Sequence, residues 1–165
     1  MVEVRPIAYV QVRDERELLA EYAAECSISA LGPPNPQWET YSQLERAGKL
    51  QAFAAFVDGR IVGFAGVLVA VIPHYGVKAA TVESLFVGKA YRSSGAGTRL
   101  MRVVEDYSAS SGCRAILYSV PAQGQLETLL DGRCARTNAI FCKPLGKRCA
   151  GLGADLCNTA MAGDG

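Results

Sequence analysis

Alternating apolar and polar positions predict the strands of this chain. Val2 and Val4 alternate with charged neighbours, which predicts a first strand over residues 2–10. Two longer apolar runs are joined by Asp58-Gly59, a pair that supplies the positive φ angles of a two-residue hairpin turn. The strands predicted after the first one cover residues 50–57, 60–72, 79–87, 113–120 and 134–143.

Apolar positions at helical spacing predict helices between these strands. Asp14, with Glu17 three places on, resembles a capping box at the start of the first helix, whose apolar stripe includes Leu18 and Tyr22. Further helices are predicted at about residues 37–47, 95–110 and 123–130. The order β-α-α-β-β-β-α-β-α-β predicts a mixed α/β domain of the α+β type around one sheet.

The length and composition favour a single domain with a short tail. A chain of 165 residues fits one domain, and residues 1–143 contain all the predicted elements. Residues 144–165 are rich in glycine and alanine without a clear period, so we expect a loosely packed or disordered tail. The net charge of +1 favours neither a nucleic-acid nor a membrane partner. The longest uncharged apolar run, 61–72, is too short to cross a bilayer, and a cytoplasmic protein is expected.

The cysteines and the single histidine give little support to a metal site. The sequence has 6 cysteines but no C-x-x-C pair, and its 1 histidine is His74. We therefore expect no metal, and reduced thiols that are mostly structural. Cys113 and Cys142 fall in predicted strands and are expected to be buried.

A strand, a short turn and a helix start with little side-chain bulk follow one another over residues 81–98. The first amides of a helix lack internal partners, and together with the helix dipole they attract anions. Gly95, Ala96 and Gly97 keep the bulk low at this point, and Arg92 adds a permanent positive charge beside it. The arrangement suits a pyrophosphate.

The string Arg92-Ser93-Ser94-Gly95-Ala96-Gly97 resembles the R/Q-x-x-G-x-G/A pyrophosphate signature of the GNAT superfamily of N-acetyltransferases. Residues 83–87 also look like the fourth strand of that superfamily, and the order of elements matches over most of residues 2–143. The resemblance implies the GNAT-like acyl-CoA N-acyltransferase fold, with helices on both faces of a mixed sheet whose fourth and fifth strands splay apart. Acetyl-CoA would lie in that gap. The residues it would contact are Phe86, Val87, Arg92, Ser93, Ser94, Gly95, Ala96, Gly97 and Thr98.

The resemblance also implies a carboxylate that takes the proton of the acceptor amine. An alkylamine has a pKa near 10.4 and must lose a proton before it attacks a thioester. Glu83 is the candidate, and a strand period of two would place it on one face with Leu85 and Val87.

The tyrosine that usually protonates the leaving thiolate is missing, and Thr128 occupies its position. Three explanations stay open: water acts instead, Tyr118 or Tyr107 substitutes, or the transfer is slow.

The loop before the proposed cofactor strand is a candidate wall of the acceptor pocket. It carries His74 and Tyr75, while Trp38 and Tyr41 lie in the second helix, which shapes acceptor sites in that superfamily. The implied reaction is direct transfer of an acetyl group to a primary amine of a small molecule or peptide, in a ternary complex. The alternatives are another acyl group, or a non-catalytic acyl-CoA-binding or sensory module on the same fold. Dimers are common in the superfamily, so a homodimer is compatible with this interpretation.

Overall fold

The computed structural model describes residues 1–120 and 124–144. Within these ranges, five strands form one sheet in the order β1-β2-β3-β4-β5. The first three neighbouring pairs are antiparallel, and β5 lies parallel to β4. The strands are β1 Glu3–Ile7, β2 Leu50–Val57, β3 Arg60–Ile72, β4 Val77–Val87 and β5 Ala115–Tyr118. The predicted mixed α/β architecture is confirmed.

Helices cover both faces of this sheet. The α-helices in the described ranges are α1 Arg16–Cys26, α2 Trp38–Arg46, α3 Ala96–Ser110 and α4 Gln125–Asp131. Short 3-10 helices cover Tyr9–Asp14, Ser29–Leu31 and Lys89–Ser94. Helix α3 connects the parallel strands β4 and β5 and packs on one face, which we call the α3 face. Helices α1 and α2 pack on the opposite face, called here the α1–α2 face.

Two apolar cores flank the sheet. On the α3 face, the fully buried Leu100 and Val104 of α3 pack against valines and alanines of β2, β3 and β4. On the α1–α2 face, Val12 and Leu18 pack with the aromatic rings of Phe64 and Phe86. When a strand is buried on both faces of a sheet, nearly all of its residues are apolar, which explains the long uncharged stretch of β3.

The Asp58-Gly59 turn forms as the sequence predicts. Asp58 has φ 50 and Gly59 has φ 80, and Val57 pairs with Arg60 directly after the turn. Positive φ at both central positions gives a turn whose twist matches that of the strands it joins. This turn begins the pairing of β2 with β3, the strand that in turn pairs with β4.

Three predictions about local structure are wrong. The chain has no strand at 134–143, where Ile140 and Phe141 are 76% and 92% exposed, because nothing in the described chain pairs with this segment. Cys142 is accordingly exposed, and Cys113 is only partly buried. The predicted capping box does not form, since α1 begins at Arg16 with no side-chain cap.

The predicted tail lies, apart from Pro144, outside the described residues. Within residues 1–120 and 124–144, none of the helices has both the length and the apolar character that crossing a membrane requires.

Candidate active site

Strand β4 contains a β-bulge at Glu83. Gly66 of β3 pairs with Ser84, and the next residue of β3, Val67, pairs with Val82, so Glu83 is the extra residue between them. A bulge of this kind bends its strand and redirects a side chain, and such bulges are frequent beside active sites.

The bulge changes which residues share a face of β4. Beyond it, Leu85 and Val87 pack with the core of the α3 face. Glu83 and Ser84 both point to the α1–α2 face, where each contacts the hydroxyl of Tyr9. The prediction that Glu83 shares a face with Leu85 and Val87 is therefore wrong, because strict alternation ends at the bulge.

A chain of hydrogen bonds leads from β3 to the carboxylate of Glu83. The backbone N–H of Gly66 donates to Ser84 Oγ at 3.1 Å, and Ser84 Oγ lies 2.8 Å from the hydroxyl of Tyr9. Tyr9 donates to Glu83 Oε2 at 3.2 Å, and Tyr41 donates to Glu83 Oε1 at 2.8 Å. Since Tyr9 has one hydroxyl proton, Ser84 donates to Tyr9 when Tyr9 donates to Glu83. Both carboxylate oxygens are thus oriented by phenols.

The two phenols are held as hydrogen-bond donors. Burial raises the pKa of Tyr9, and the negative charge of Glu83 raises it further. The pKa of Tyr41 is raised by the same two causes, in the same order. The rings stack with their centroids 4.3 Å apart. Both hydroxyls therefore keep their protons at neutral pH and stay directed at the carboxylate.

Gly66 makes room for this network. A Cβ atom at this position would lie 2.8 Å from Cε2 of Tyr9 and 3.0 Å from Oγ of Ser84. Both distances are shorter than ordinary van der Waals contact. Because Gly66 has no side chain, the ring of Tyr9 can approach β3 and reach the bulge.

A cleft of about 470 Å³ opens beside Glu83 on the α1–α2 face. Its walls come from the end of α1, the loop before α2, helix α2 and strand β3. Uncharged residues form most of the described lining, including Tyr22, Cys26, Thr40, Leu44 and Leu68. A volume of this size is within the range of pockets that bind small molecules.

Strands β4 and β5 separate at the same point. Their pairing runs from Ala79 with Ala115 to Val82 with Tyr118, and residues 83–87 have no partner on β5 among the described residues. Backbone groups along such an edge need water or a ligand as partners. The predicted splay between the fourth and fifth strands is therefore present, and it begins at Glu83.

The start of α3 is open at Gly95, whereas the amide of Ala96 is paired within the turn. Gly95 has φ +82, a conformation that favours glycine, and no atom lies within 4 Å of where its Cβ would be. Ser94 Oγ donates to the carbonyl of Tyr91 at 2.6 Å and accepts from the N–H of Ala96 at 3.3 Å. The methyl group of Ala96 is buried in the core of the α3 face. The amides of Gly97 and of Thr98 belong to the first turn, where helical N–H groups have no intrahelical acceptor.

Arg92 is held to helix α1. Its guanidinium donates to Glu25 Oε2 at 2.7 Å and to the carbonyl of Val87 at 3.1 Å. Glu25 also pairs with Lys89 at 3.4 Å. Partial burial acts to raise the pKa of Glu25, but the hydrogen bonds and charges of Arg92 and Lys89 outweigh it and lower that pKa. The charge of Arg92, expected beside the helix start, is thus balanced by a carboxylate in this structure.

The structure does not bring His74 and Tyr75 to Glu83. They lie in the turn between β3 and β4, where Tyr75 is 70% exposed. At about 3.3 Å per strand residue, this turn is roughly 20 Å or more from Glu83.

The tyrosines considered as substitutes for the missing acid have other partners. Tyr118 donates to Glu105 of α3 at 3.3 Å, and burial followed by the charge of Glu105 raises its pKa. Tyr107 packs edge-on against Phe53 on the α3 face. Thr128, at the position of the missing tyrosine, lies on α4 with its hydroxyl 3.4 Å from the carbonyl of Gly124.

Sequence reasoning missed the groups that orient Glu83. The apolar pattern assigns Tyr9 to the first strand and Gly66 and Ser84 to later strands. The resemblance connects Tyr41 of the second helix with the acceptor site, but not with Glu83. A serine and a glycine inside apolar strands were the one available signal, because glycine in a strand often marks a bulge or a close approach.

The comparisons with known proteins agree with this geometry. The sequence matches the profile of the Acetyltransferase (GNAT) family over residues 13–126. The chain belongs to this family, and it is an acyltransferase of the GNAT type. No curated protein matches the sequence.

Solved structures show the same fold. A ribosomal-protein-alanine N-acetyltransferase from Brucella melitensis biovar Abortus 2308 is similar at 21% identity and a TM-score of 0.68, over 88% of this chain and 100% of that one. An aminoglycoside acetyltransferase from an uncultured soil metagenomic sample is similar at 19% identity and a TM-score of 0.69, over 88% and 99%. The structure of AAC(6')-Iy in complex with a bisubstrate CoA analog is similar at 19% identity and a TM-score of 0.66, over 90% and 99%.

Proposed function

We propose that this protein transfers the acetyl group of acetyl-CoA directly to a primary amine of a small molecule or peptide, within a ternary complex. One observation carries the proposal: the bulge of β4, the start of the β4–β5 splay and the lining of the cleft all meet at Glu83. A carboxylate at that junction lies between a strand edge that suits the cofactor and a cleft that suits the acceptor.

The chain offers acetyl-CoA a fitting edge. The free side of residues 83–87 can pair with an amide-containing arm through the backbone, Phe86 and Val87 included. The start of α3 can hold the phosphates through its first amides. The residues assigned to the phosphates are Arg92, Ser93, Ser94, Gly95, Ala96, Gly97 and Thr98. When bound, the cofactor supplies an acetyl group activated as a thioester.

Glu83 is assigned to accept the proton of the amine. An alkylammonium ion with a pKa near 10.4 cannot attack a carbonyl carbon until it has lost a proton. The cleft brings the acceptor to the carboxylate, and Tyr9 and Tyr41 hold both of its oxygens in place. Proton transfer of this kind typically contributes about 10²–10⁴-fold to the rate.

The bonds and protons of the transfer balance. Glu83 takes the first proton of the ammonium ion, the neutral nitrogen forms a bond to the acetyl carbon, the carbon–sulfur bond breaks, and the second proton of the nitrogen passes to water as water protonates the leaving thiolate. We assign the proton that the leaving thiolate gains to water, since Tyr118 is bonded to Glu105 and Tyr107 packs on Phe53. Free thiols have a pKa near 8.5, so water is sufficient near neutral pH.

The test follows free thiol from acetyl-CoA in the presence and absence of primary amines, with the amine product identified by mass spectrometry. Release that depends on the amine and yields an acetylated amine is expected. Binding of CoA without thiol release in the presence of any amine would contradict the proposal. Thiol release that is independent of amines would contradict it as well. Binding of CoA measured by calorimetry in the same preparation shows that the protein is intact.

A further inference from the structure

We propose that the acceptor is a small amine with a single positive charge on an apolar, aromatic-sized body, bound in the cleft beside Glu83. This inference rests on the proposed function and specifies its substrate class. It is carried by the distribution of charge and apolar surface around the cleft.

The cleft offers one charge to its ligand. Glu83 is the charged residue among the described residues that line it. The others are two phenols, two prolines, two leucines, a thiol and the uncharged polar side chains of Ser27, Asn35, Gln37 and Thr40. Burial raises the pKa of the Cys26 thiol, followed by the charge of Glu25, so this group stays neutral at pH 7. One carboxylate can neutralise one ammonium group, whereas a buried second charge without a partner is costly.

Three carboxylates on α1 and α2 already have partners. Glu25 pairs with Lys89 and Arg92. Glu39 pairs with Arg46 at 2.8 Å. Glu45 accepts the backbone N–H of Tyr9 at 2.7 Å. A polyamine or an aminoglycoside would therefore have to displace existing contacts to place a further ammonium group at any of these three carboxylates.

The walls of the cleft favour an apolar body. Tyr41 presents a ring that is backed by the stacked ring of Tyr9, and Leu44 and Leu68 add aliphatic surface. Burial of apolar surface stabilises a ligand by about 25 cal/mol per Å². An ammonium group directed at Glu83 leaves the remainder of a small amine against these side chains.

A panel of primary amines tests the inference through amine-dependent thiol release. The matched pair is 2-phenylethylamine and 1,4-diaminobutane, with spermidine and kanamycin as polycations and a short peptide with a free N-terminus. We expect kcat/KM to be about tenfold or more higher for 2-phenylethylamine than for the diamine, because its ring buries apolar surface. A preference for the diamine, a polycation or the peptide would overturn the inference and leave the proposed function standing. No release with any amine would overturn both.

A charge placed in the cleft adds a second, internal test. Thr40 is the third residue of α2 and lines the cleft, so the T40E variant adds a carboxylate where the helix dipole tolerates it. We expect T40E to raise the ratio of kcat/KM for the diamine over the monoamine by about fivefold. The uncharged T40Q should keep the original ratio. An unchanged ratio in folded T40E would show that the acceptor lies elsewhere and would overturn the inference.

Discussion

The two faces of the sheet differ sharply in what they bury. The α3 face is a core mainly of valine and alanine side chains, with Leu100 and Val104 of α3 among its most buried members. The α1–α2 face mixes apolar packing with a polar chain that runs from Ser84 through Tyr9 to Glu83. Every buried side-chain nitrogen or oxygen in the described residues has a hydrogen-bond partner.

The difference shows how one strand serves two purposes. On one side of β4, Val82 and Val87 bind the sheet to α3 through apolar contacts. On the other side, the bulge directs the side chain of Glu83 into the cleft and leaves that core intact. We therefore expect substitutions on the α3 face to change stability, and those in the polar chain to change turnover.

The largest effect is expected for Leu100→Ala on the α3 face. Leu100 is 0% exposed, and truncation of a buried leucine typically costs about 2–5 kcal/mol because a cavity is left. Urea unfolding followed by circular dichroism measures the change. The control is Leu31→Ala, since Leu31 is 73% exposed and should change stability by less than about 0.5 kcal/mol. Equal costs for both variants would contradict the assignment of the core.

Glu83→Gln should lower kcat/KM by about 100-fold, equivalent to about 2.7 kcal/mol of transition-state stabilisation. The side chain is exposed in the cleft, so the free energy of unfolding and the affinity for CoA should hardly change. Glu105→Gln is the matched control, because Glu105 also accepts a tyrosine hydroxyl but on the α3 side. A normal rate in Glu83→Gln would exclude the proposed role of this carboxylate.

Thr98→Glu should separate helix stability from cofactor affinity. A carboxylate in the first turn of α3 favours the helix by about 0.3–1 kcal/mol. The same charge should repel a pyrophosphate and weaken CoA binding by about tenfold. Thr98 is exposed, and Thr98→Gln is the uncharged control. An unchanged affinity for CoA in Thr98→Glu, measured by calorimetry, would contradict the assignment of the phosphates to the start of α3.

Tyr41→Phe should reduce kcat/KM by about fivefold, since one hydrogen bond to the carboxylate is worth about 1 kcal/mol. The ring, and hence its stacking on Tyr9, is retained. Tyr107→Phe makes the same change on the α3 face and should leave turnover unaltered. The same loss in both variants would mean that the contact between Tyr41 and Glu83 has no special role.

The smallest effect is expected for Glu25→Gln, which removes the partner of Arg92 and Lys89 and should cost about 0.5 kcal/mol. The pKa of Glu25 is lowered in the folded protein, so its stabilisation is present above the unfolded pKa and disappears as the pH falls through the folded one. Urea titrations from pH 7 downwards should therefore show a difference between wild type and variant that shrinks as the pH falls through the folded pKa of Glu25. If the difference persists in acid, the effect of Glu25→Gln on stability arises from packing and not from the charge of Glu25.

Much of the fold was predictable because its signals are contiguous. The Asp58-Gly59 turn, the strands around it and the helix start at Gly95 each depend on neighbouring residues, and the structure contains all of them. The strand predicted at 134–143 is absent, because an alternating apolar pattern forms a strand only where a neighbouring strand pairs with that segment. The roles of the predicted site residues stay predictions until the experiments above are done.

The sequence by itself determined the family, the order of strands and α-helices as far as α4, and the strand–turn–helix segment, since these depend on adjacent residues. Only the tertiary structure decided the surroundings of Glu83, where Tyr41 and Tyr9 come from positions 42 and 74 residues away along the chain. The bulge that redirects Glu83 depends on the register between Gly66 and Ser84, which are 18 residues apart. Such contacts arise from the packing of whole elements, and the hydrophobic pattern of any single segment carries no record of them.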